Sequence, residues 1–326
     1  MYNREMDKFL LKLSNKSFFK LILGLGNTCV EDIKKISAVY AAARVDMFDL
    51  TPSEEVFDAV YEGIKSQNLN PEDFLYCLSF SFGDDKHGRK AAIDQKKCVK
   101  CLKCIKKCPQ DAISFDKSEK KVFVKQEKCI GCGKCDFCSA ISFSKEDVNV
   151  IKKIESLLKS YKIDCIEFHI SSNTLDEAKK YIKKVNSIFP QIPISICVSK
   201  EKFSDFKLKK LVEKFTNIID PKKLVIQADG ISMSGLKDDY SSSLQAVATA
   251  QVLESFDLPI ILSGGSNSKT AELARLCNVK INGVSVGSYG RNLIKEEIQN
   301  PEFWYNKEVF NCALEKAKVL VNSVKI

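Results

Sequence analysis

Short apolar runs separated by helical patterns dominate the chain outside one cysteine-rich stretch. Eight runs read as strands: Lys20–Leu25, Val45–Leu50, Phe74–Phe82, Ile163–Ser171, Ile194–Ser199, Leu224–Ala228, Ile260–Ser263 and Gly283–Gly287. They read as continuous rather than strictly alternating, as strands covered on both faces do. Helical spacing lies between them. Ile33, Ile36, Tyr40 and Ala43 share a face, as do Leu175, Ala178, Ile182, Val185 and Phe189, and Leu208, Leu211, Val212 and Phe215. Thr28 to Glu31, Thr51 to Glu54 and Thr174 to Glu177 each fit a capping box, and Pro52 suits a first helical position. Near the N-terminus, Leu10, Leu11 and Leu13 suggest one face of a short helix.

Eight such units predict an α/β fold, a (β/α)8 TIM-like barrel, with an inserted 2[4Fe-4S] bacterial-ferredoxin-like domain after strand three. An open doubly wound sheet is the alternative. The expected division is 1–93 and 146–326 for the two parts of the barrel and 94–145 for the insert. Removing the insert leaves about 270 residues, close to the barrel norm of about 250. In a barrel the loops after strands lie on the C-terminal face, so the insert belongs beside the mouth.

No run of about 18 apolar residues occurs, and the N-terminus lacks the apolar core of a signal peptide. A cytoplasmic chain without a membrane span is expected, with its 14 cysteines reduced. Lys plus Arg is 51 against 42 Asp plus Glu, a net +9. Part of the excess lies on helix faces. Another part, Lys96, Lys97, Lys100, Lys103, Lys106 and Lys107, lies among the cysteines, where ammonium groups offset an anionic cluster. Nucleic-acid binding is therefore not expected.

Eight cysteines carry the chemistry. Cys98, Cys101, Cys104 and Cys108, followed by Pro109, have the bacterial ferredoxin spacing C-x2-C-x2-C-x3-C-P. In that arrangement the fourth cysteine serves the other cluster. The second run is Cys129, Cys132, Cys135 and Cys138. The expected pairing is crossed: Cys98, Cys101, Cys104 and Cys138 hold one [4Fe-4S] cluster, and Cys129, Cys132, Cys135 and Cys108 the other. Ala112–Phe115 and Val122–Val124 form the intervening hairpin. Zinc sites normally use two separated C-x2-C knuckles, which this spacing does not resemble. The second run ends C-x2-C at Cys138 with Ser139 after it, one residue short and without proline. That leaves the first cluster open to lability or a three-iron form.

Beyond the cysteines, the chain resembles the light-dependent-period protein family, LdpA. The segments that carry the likeness are Phe19–Gly24 with Ala43–Asp49, Gly83–Ala91, Gln227–Gly235, Leu262–Leu273 and Gly283–Ser288. The family is known from cyanobacteria, where it is linked to redox input to the circadian clock. The resemblance implies a ferredoxin module in a barrel-like protein, two clusters and a redox-sensing or electron-transfer role. It implies no active site, and a clock role does not carry over.

A second candidate site lies at the expected mouth. Gly264, Gly265 and Asn267 follow strand seven, and Gly287, Ser288 and Arg291 follow strand eight. Barrels bind phosphate between these loops, and Arg291 suits a bidentate contact. FMN or a phosphorylated substrate would fit. Asp46, Asp49, Glu167, His169, Gln227 and Asp229 are expected to face the same mouth; His87 offers a proton relay, but a structural role is the expectation for both His87 and His169. Cys77, Cys165 and Cys197 read as core residues, and Cys29, Cys277 and Cys312 as packing residues. The reading is an iron–sulfur electron-transfer or redox-sensing protein with a redox protein partner. An oxidoreductase with a ligand in the mouth is the alternative.

Overall fold

A computed structural model describes residues 3–82, 88–144, 149–231 and 237–325, with side chains from residue 8. Asp84, Asp85, Lys86, His87 and Met233 to Gly235 lie outside the described residues.

The strands are β1 (Phe18–Ile22), β2 (Met47–Leu50), β3 (Leu75–Ser81), β4 (Lys90–Ile93), β5 (Ile113–Asp116), β6 (Lys121–Val124), β7 (Ile141–Ser144), β8 (Cys165–His169), β9 (Ile194–Ser199), β10 (Leu224–Asp229), β11 (Ile260–Ser263) and β12 (Gly283–Val286). The expected barrel is present. β1, β12, β11, β10, β9, β8, β3 and β2 close in that order, all parallel. The remaining four strands belong to the excursion after β3, where β4 pairs antiparallel with β7, and β5 with β6.

The helices are α1 (Asn3–Ser14), α2 (Val30–Ala42), α3 (Glu54–Lys65), α4 (Lys103–Lys107), α5 (Val150–Leu157), α6 (Leu175–Ile188), α7 (Asp205–Thr216), α8 (Tyr240–Leu253), α9 (Thr270–Leu276), α10 (Ser288–Leu293), α11 (Lys295–Gln299) and α12 (Lys307–Asn322). Apolar faces of the ring helices cover the outward strand residues in one continuous core. Phe19, Leu21, Phe48, Leu78, Phe168, Ile196, Ile226, Leu262 and Val286 belong to it.

Inward positions differ from outward ones. At the N-terminal end, Phe18, Met47, Leu75, Cys165, Val225 and Ile261 form a separate apolar layer, closed by Phe9 and Leu13 of α1. Phe9 and Leu13 stand one turn apart and share a face. The expected leucine face is thus corrected, because Leu11 is 65% exposed. Above this plug the lumen is polar: Lys20, Asp49, Ser79, Glu167, His169, Ser195, Gln227, Asp229, Ser263 and Ser285 are all buried. The strands therefore alternate in chemistry although every position is covered, which corrects the reading of unbroken apolar runs.

The three expected capping boxes do not form at the positions read. α2 follows Cys29 and α3 follows Ser53, neither with a side-chain cap. The Thr51 hydroxyl instead donates to the Gly24 carbonyl (3.0 Å) and accepts from Gly26 N–H (2.9 Å), pinning the β1 loop. A capping box does form one turn earlier than read, between Ser171 and Thr174.

Candidate metal centre and barrel mouth

The insert carries its own small core. Ala91, Ala112, Ile113, Val122 and Ile141 pack around the buried Cys104, Cys129 and Cys135, with Cys98, Cys108 and Cys138 against them. Two neighbourhoods of thiols emerge from the charges that act on each. Burial pushes the Cys104 thiol up, and Cys98 and Cys138 push it further. Burial pushes Cys135 up to about 12, and Cys132, Cys108 and Cys129 act in the same direction. Cys132 likewise feels burial first, then Cys108 and Cys129. Cys138 thus stands within electrostatic reach of Cys104, and Cys108 lines one cavity with Cys129, Cys132 and Cys135. Cys101 is exposed.

The sulfur spacing bears on what these residues hold. Zinc–sulfur bonds of about 2.3 Å place tetrahedral thiolates about 3.8 Å apart. Among the described residues, the groups with all ligand atoms within 4.8 Å are Glu167–His169–Cys197 and Asp49–Cys77–Glu167, and neither contains an insert thiol. Thiols spread more widely suit the corners of a cluster rather than one ion.

The Cys129–Cys132 loop is the part of the insert that meets the barrel. The Lys90 ammonium donates to the carbonyls of Gly26, Gln126 (2.6 Å) and Cys129 (2.8 Å). Thr28 N–H donates to the Glu127 carbonyl at 2.9 Å, and Lys128 pairs with Asp32 at 2.9 Å. Gly131, at φ +65°, has no room for a side chain, because a Cβ would lie 2.3 Å from the Arg89 carbonyl oxygen. Ile130, between two of the cysteines, lines the barrel-mouth cavity itself.

That cavity, about 80 Å³, is lined by Gly24, Asp49, Ser79, Ile130, His169, Asp229, Gly264, Gly265, Gly287, Ser288 and Arg291 among others. Five of the six residues read as a phosphate site therefore converge. Asn267 does not, because its amide donates to the carbonyls of Lys237 (2.9 Å) and Asp239 (2.7 Å) and ties the loop after β10. Arg291 is buried, and burial pushes its guanidinium down to about 10. One Nη donates to the Ile22 carbonyl at 2.6 Å, while the buried Nε has no partner. Gly24 and Gly287 flank the guanidinium, since a Cβ at either would sit about 3.5–3.6 Å from it.

Deeper in the lumen, Lys20 bridges Asp49 (2.9 Å) and Glu167 (2.7 Å). Burial alone would lower the ammonium's pKa, but the two carboxylates outweigh it and hold it well above the usual value. Ser79 donates to Asp49 at 2.5 Å, while Ser195 (2.8 Å) and Gln227 (2.7 Å) donate to Glu167. Asp49, Glu167, His169, Gln227 and Asp229 lie in the lumen as expected. Asp46 does not. It precedes β2 at the opposite end and pairs with Lys12 and Lys325, each at 3.2 Å. Lys20, Ser79, Ser195 and Ser285 were missed. Their signal was a polar residue at every second strand position. Cys77, Cys165 and Cys197 are buried as expected, whereas Cys277 and Cys312 are exposed and do not pack inside.

A closed barrel with a ferredoxin-type module at its mouth defines an iron–sulfur protein of the (β/α)8 class. A 4Fe-4S dicluster domain matches residues 90–138. The Light dependent period A C-terminal domain matches residues 157–324, just over half of the chain. The chain belongs to the light-dependent-period family. No curated protein matches it. Among solved structures, the chain is similar to tryptophan synthase from Mycobacterium tuberculosis (10% identity, TM-score 0.49, 100% of this chain and 98% of that one). It is also similar to the YdjI aldolase from Escherichia coli K12 (10%, 0.48, 96% and 93%) and to a truncated 3-deoxy-D-arabino-heptulosonate 7-phosphate synthase from Thermotoga maritima (11%, 0.43, 83% and 74%). At these values nothing about activity passes to this chain. No helix among the described residues is long and apolar enough to cross a membrane.

Proposed function

We propose that the protein carries electrons through two [4Fe-4S] clusters, between a redox protein partner and the barrel mouth. The crossed quartets, Cys98, Cys101, Cys104 and Cys138, and Cys108, Cys129, Cys132 and Cys135, hold the clusters and supply one-electron chemistry. The observation that carries the reading is the position of Ile130. It sits within the second cysteine run and forms part of the mouth's wall. The first quartet includes the exposed Cys101. Around it Val99 is 83%, Phe137 55% and Leu102 37% exposed, and the six lysines from Lys96 to Lys107 are exposed as well. An apolar patch ringed by ammonium groups suits an acidic electron-transfer protein, whose approach would be steered by charge. Protein isolated without oxygen should contain about eight iron and about eight acid-labile sulfide per chain. Colourless protein with about two zinc ions overturns the proposal.

A second reading is supported by Arg291, a buried guanidinium with an unpartnered Nε on the cavity wall. It gives the mouth a phosphate-bearing ligand, FMN included, with the clusters as electron relay. The described cavity, about 80 Å³, falls below the usual range of about 300–1,000 Å³ for ligand pockets. Its walls suit the anionic group of such a ligand better than an isoalloxazine. Acid release of flavin from the isolated protein would favour FMN; its absence after reconstitution with FMN removes that version.

A further inference from the structure

We infer that the barrel lumen holds a third metal centre, a borderline-soft divalent ion bound by Glu167, His169 and Cys197. These residues come from adjacent strands, β8 and β9, whose register sets His169 opposite Cys197. All three are buried, and their donor atoms lie within 4.8 Å of one another. His169 Nε2 stands 3.5 Å from Glu167 Oε1. Metal bonds of about 2.0–2.3 Å at tetrahedral angles place neighbouring donors about 3.3–3.8 Å apart, so little movement is needed to close on an ion.

The surroundings are those of a ligand set. Gln227 donates to Glu167 Oε1 at 2.7 Å and approaches Cys197 Sγ at 3.6 Å. A donor shared by two candidate ligands orients both. Glu167 divides its oxygens. Oε2 receives Lys20 and Ser195, while Oε1 is turned toward His169 and Gln227. Lys20 is also committed to Asp49, so one ammonium serves two buried carboxylates. Buried carboxylates require pairing or a metal. One imidazole, one thiolate and one carboxylate suit zinc or ferrous iron rather than calcium or magnesium. Three protein donors leave a fourth position for an exogenous oxygen ligand, as catalytic rather than structural zinc sites do. His169 lines the mouth cavity, so that position would meet a ligand anchored at Arg291.

The test uses full-length protein with its iron–sulfur sites reconstituted anaerobically, then exposed to Zn2+ and desalted. The expected result is one zinc per chain beyond the iron. Its X-ray absorption fine structure should show one sulfur and two or three nitrogen or oxygen neighbours. Cys197→Ser and His169→Ala should lose the zinc with iron content and melting temperature retained. Should either variant misfold, the ligand shell of the wild-type protein decides alone. No zinc beyond the iron, an all-sulfur shell, or zinc unchanged in folded variants would overturn the inference.

Discussion

Lys20→Met tests whether the lumen is held by its ion triad. Methionine matches the length of the lysine's four-carbon stem and removes the ammonium, leaving Asp49 and Glu167 buried without their shared cation. Removing one partner of a buried pair costs about 3–5 kcal/mol. Glu167 keeps Ser195 and Gln227, and Asp49 keeps Ser79, which places the loss near the lower end. At about 2 °C per kcal/mol for a large domain, a loss of about 3 kcal/mol should lower the melting temperature by about 6 °C. The loss should depend on pH. Burial pushes the Asp49 carboxyl above its ordinary range even with Lys20 beside it. A raised carboxyl stabilises the fold below its unfolded value and loses that contribution as pH rises, so the deficit should be larger at about pH 8 than at about pH 5. Adding Glu167→Gln should recover part of the loss, with a coupling of at least about 1 kcal/mol. The assay is thermal unfolding followed by circular dichroism under argon. A Lys20→Met protein melting within about 2 °C of wild type, or a double variant whose losses simply add, would refute the argument.

Further expectations concern the insert. Cys138→Ser should remove the cluster beside the exposed lysines and Cys108→Ser the one beside Ile130, each leaving about half of the iron; loss from the same site in both would refute the crossed pairing. Gly131→Ala should abolish the cluster at the mouth, because its Cβ meets the Arg89 carbonyl oxygen at 2.3 Å; full iron content would contradict this. In cluster-free protein, Cys104, Cys132 and Cys135 have thiols pushed up by burial. Stability should therefore be present below the ordinary value of 9.0 and decline as pH rises from there through about 12, as denaturant melts across that range would show. Cluster-loaded protein, with its thiols already deprotonated, should lack this decline.

Much of the fold was legible because each barrel strand is apolar on its outward face, and eight such runs alternate with amphipathic helices. The ferredoxin spacing was legible because three thiols at successive x2 intervals have few other uses. The lumen was harder to read. Ser79, Ser195 and Ser285 are short and interrupt an apolar run weakly, and Lys20 stood at the edge of its expected strand. Burial of both faces hides an alternation that chemistry alone reveals. Asp46 was misplaced because β2 begins one residue after it, which turns its carboxylate to the closed end. Asn267 and Thr51 hold loops together, and such partners depend on chain segments far apart in sequence. The seating of the insert rests on Lys90 reaching three carbonyls, a contact no local pattern announces.

The central claim is that the insert holds two neighbouring clusters, one of them beside the barrel mouth. Electron paramagnetic resonance of dithionite-reduced protein tests it most directly. Two reduced clusters should give a spectrum broadened by spin–spin interaction that simplifies to an isolated signal when only one is reduced. A single non-interacting signal at full reduction, from protein with its complete iron content, would contradict the account.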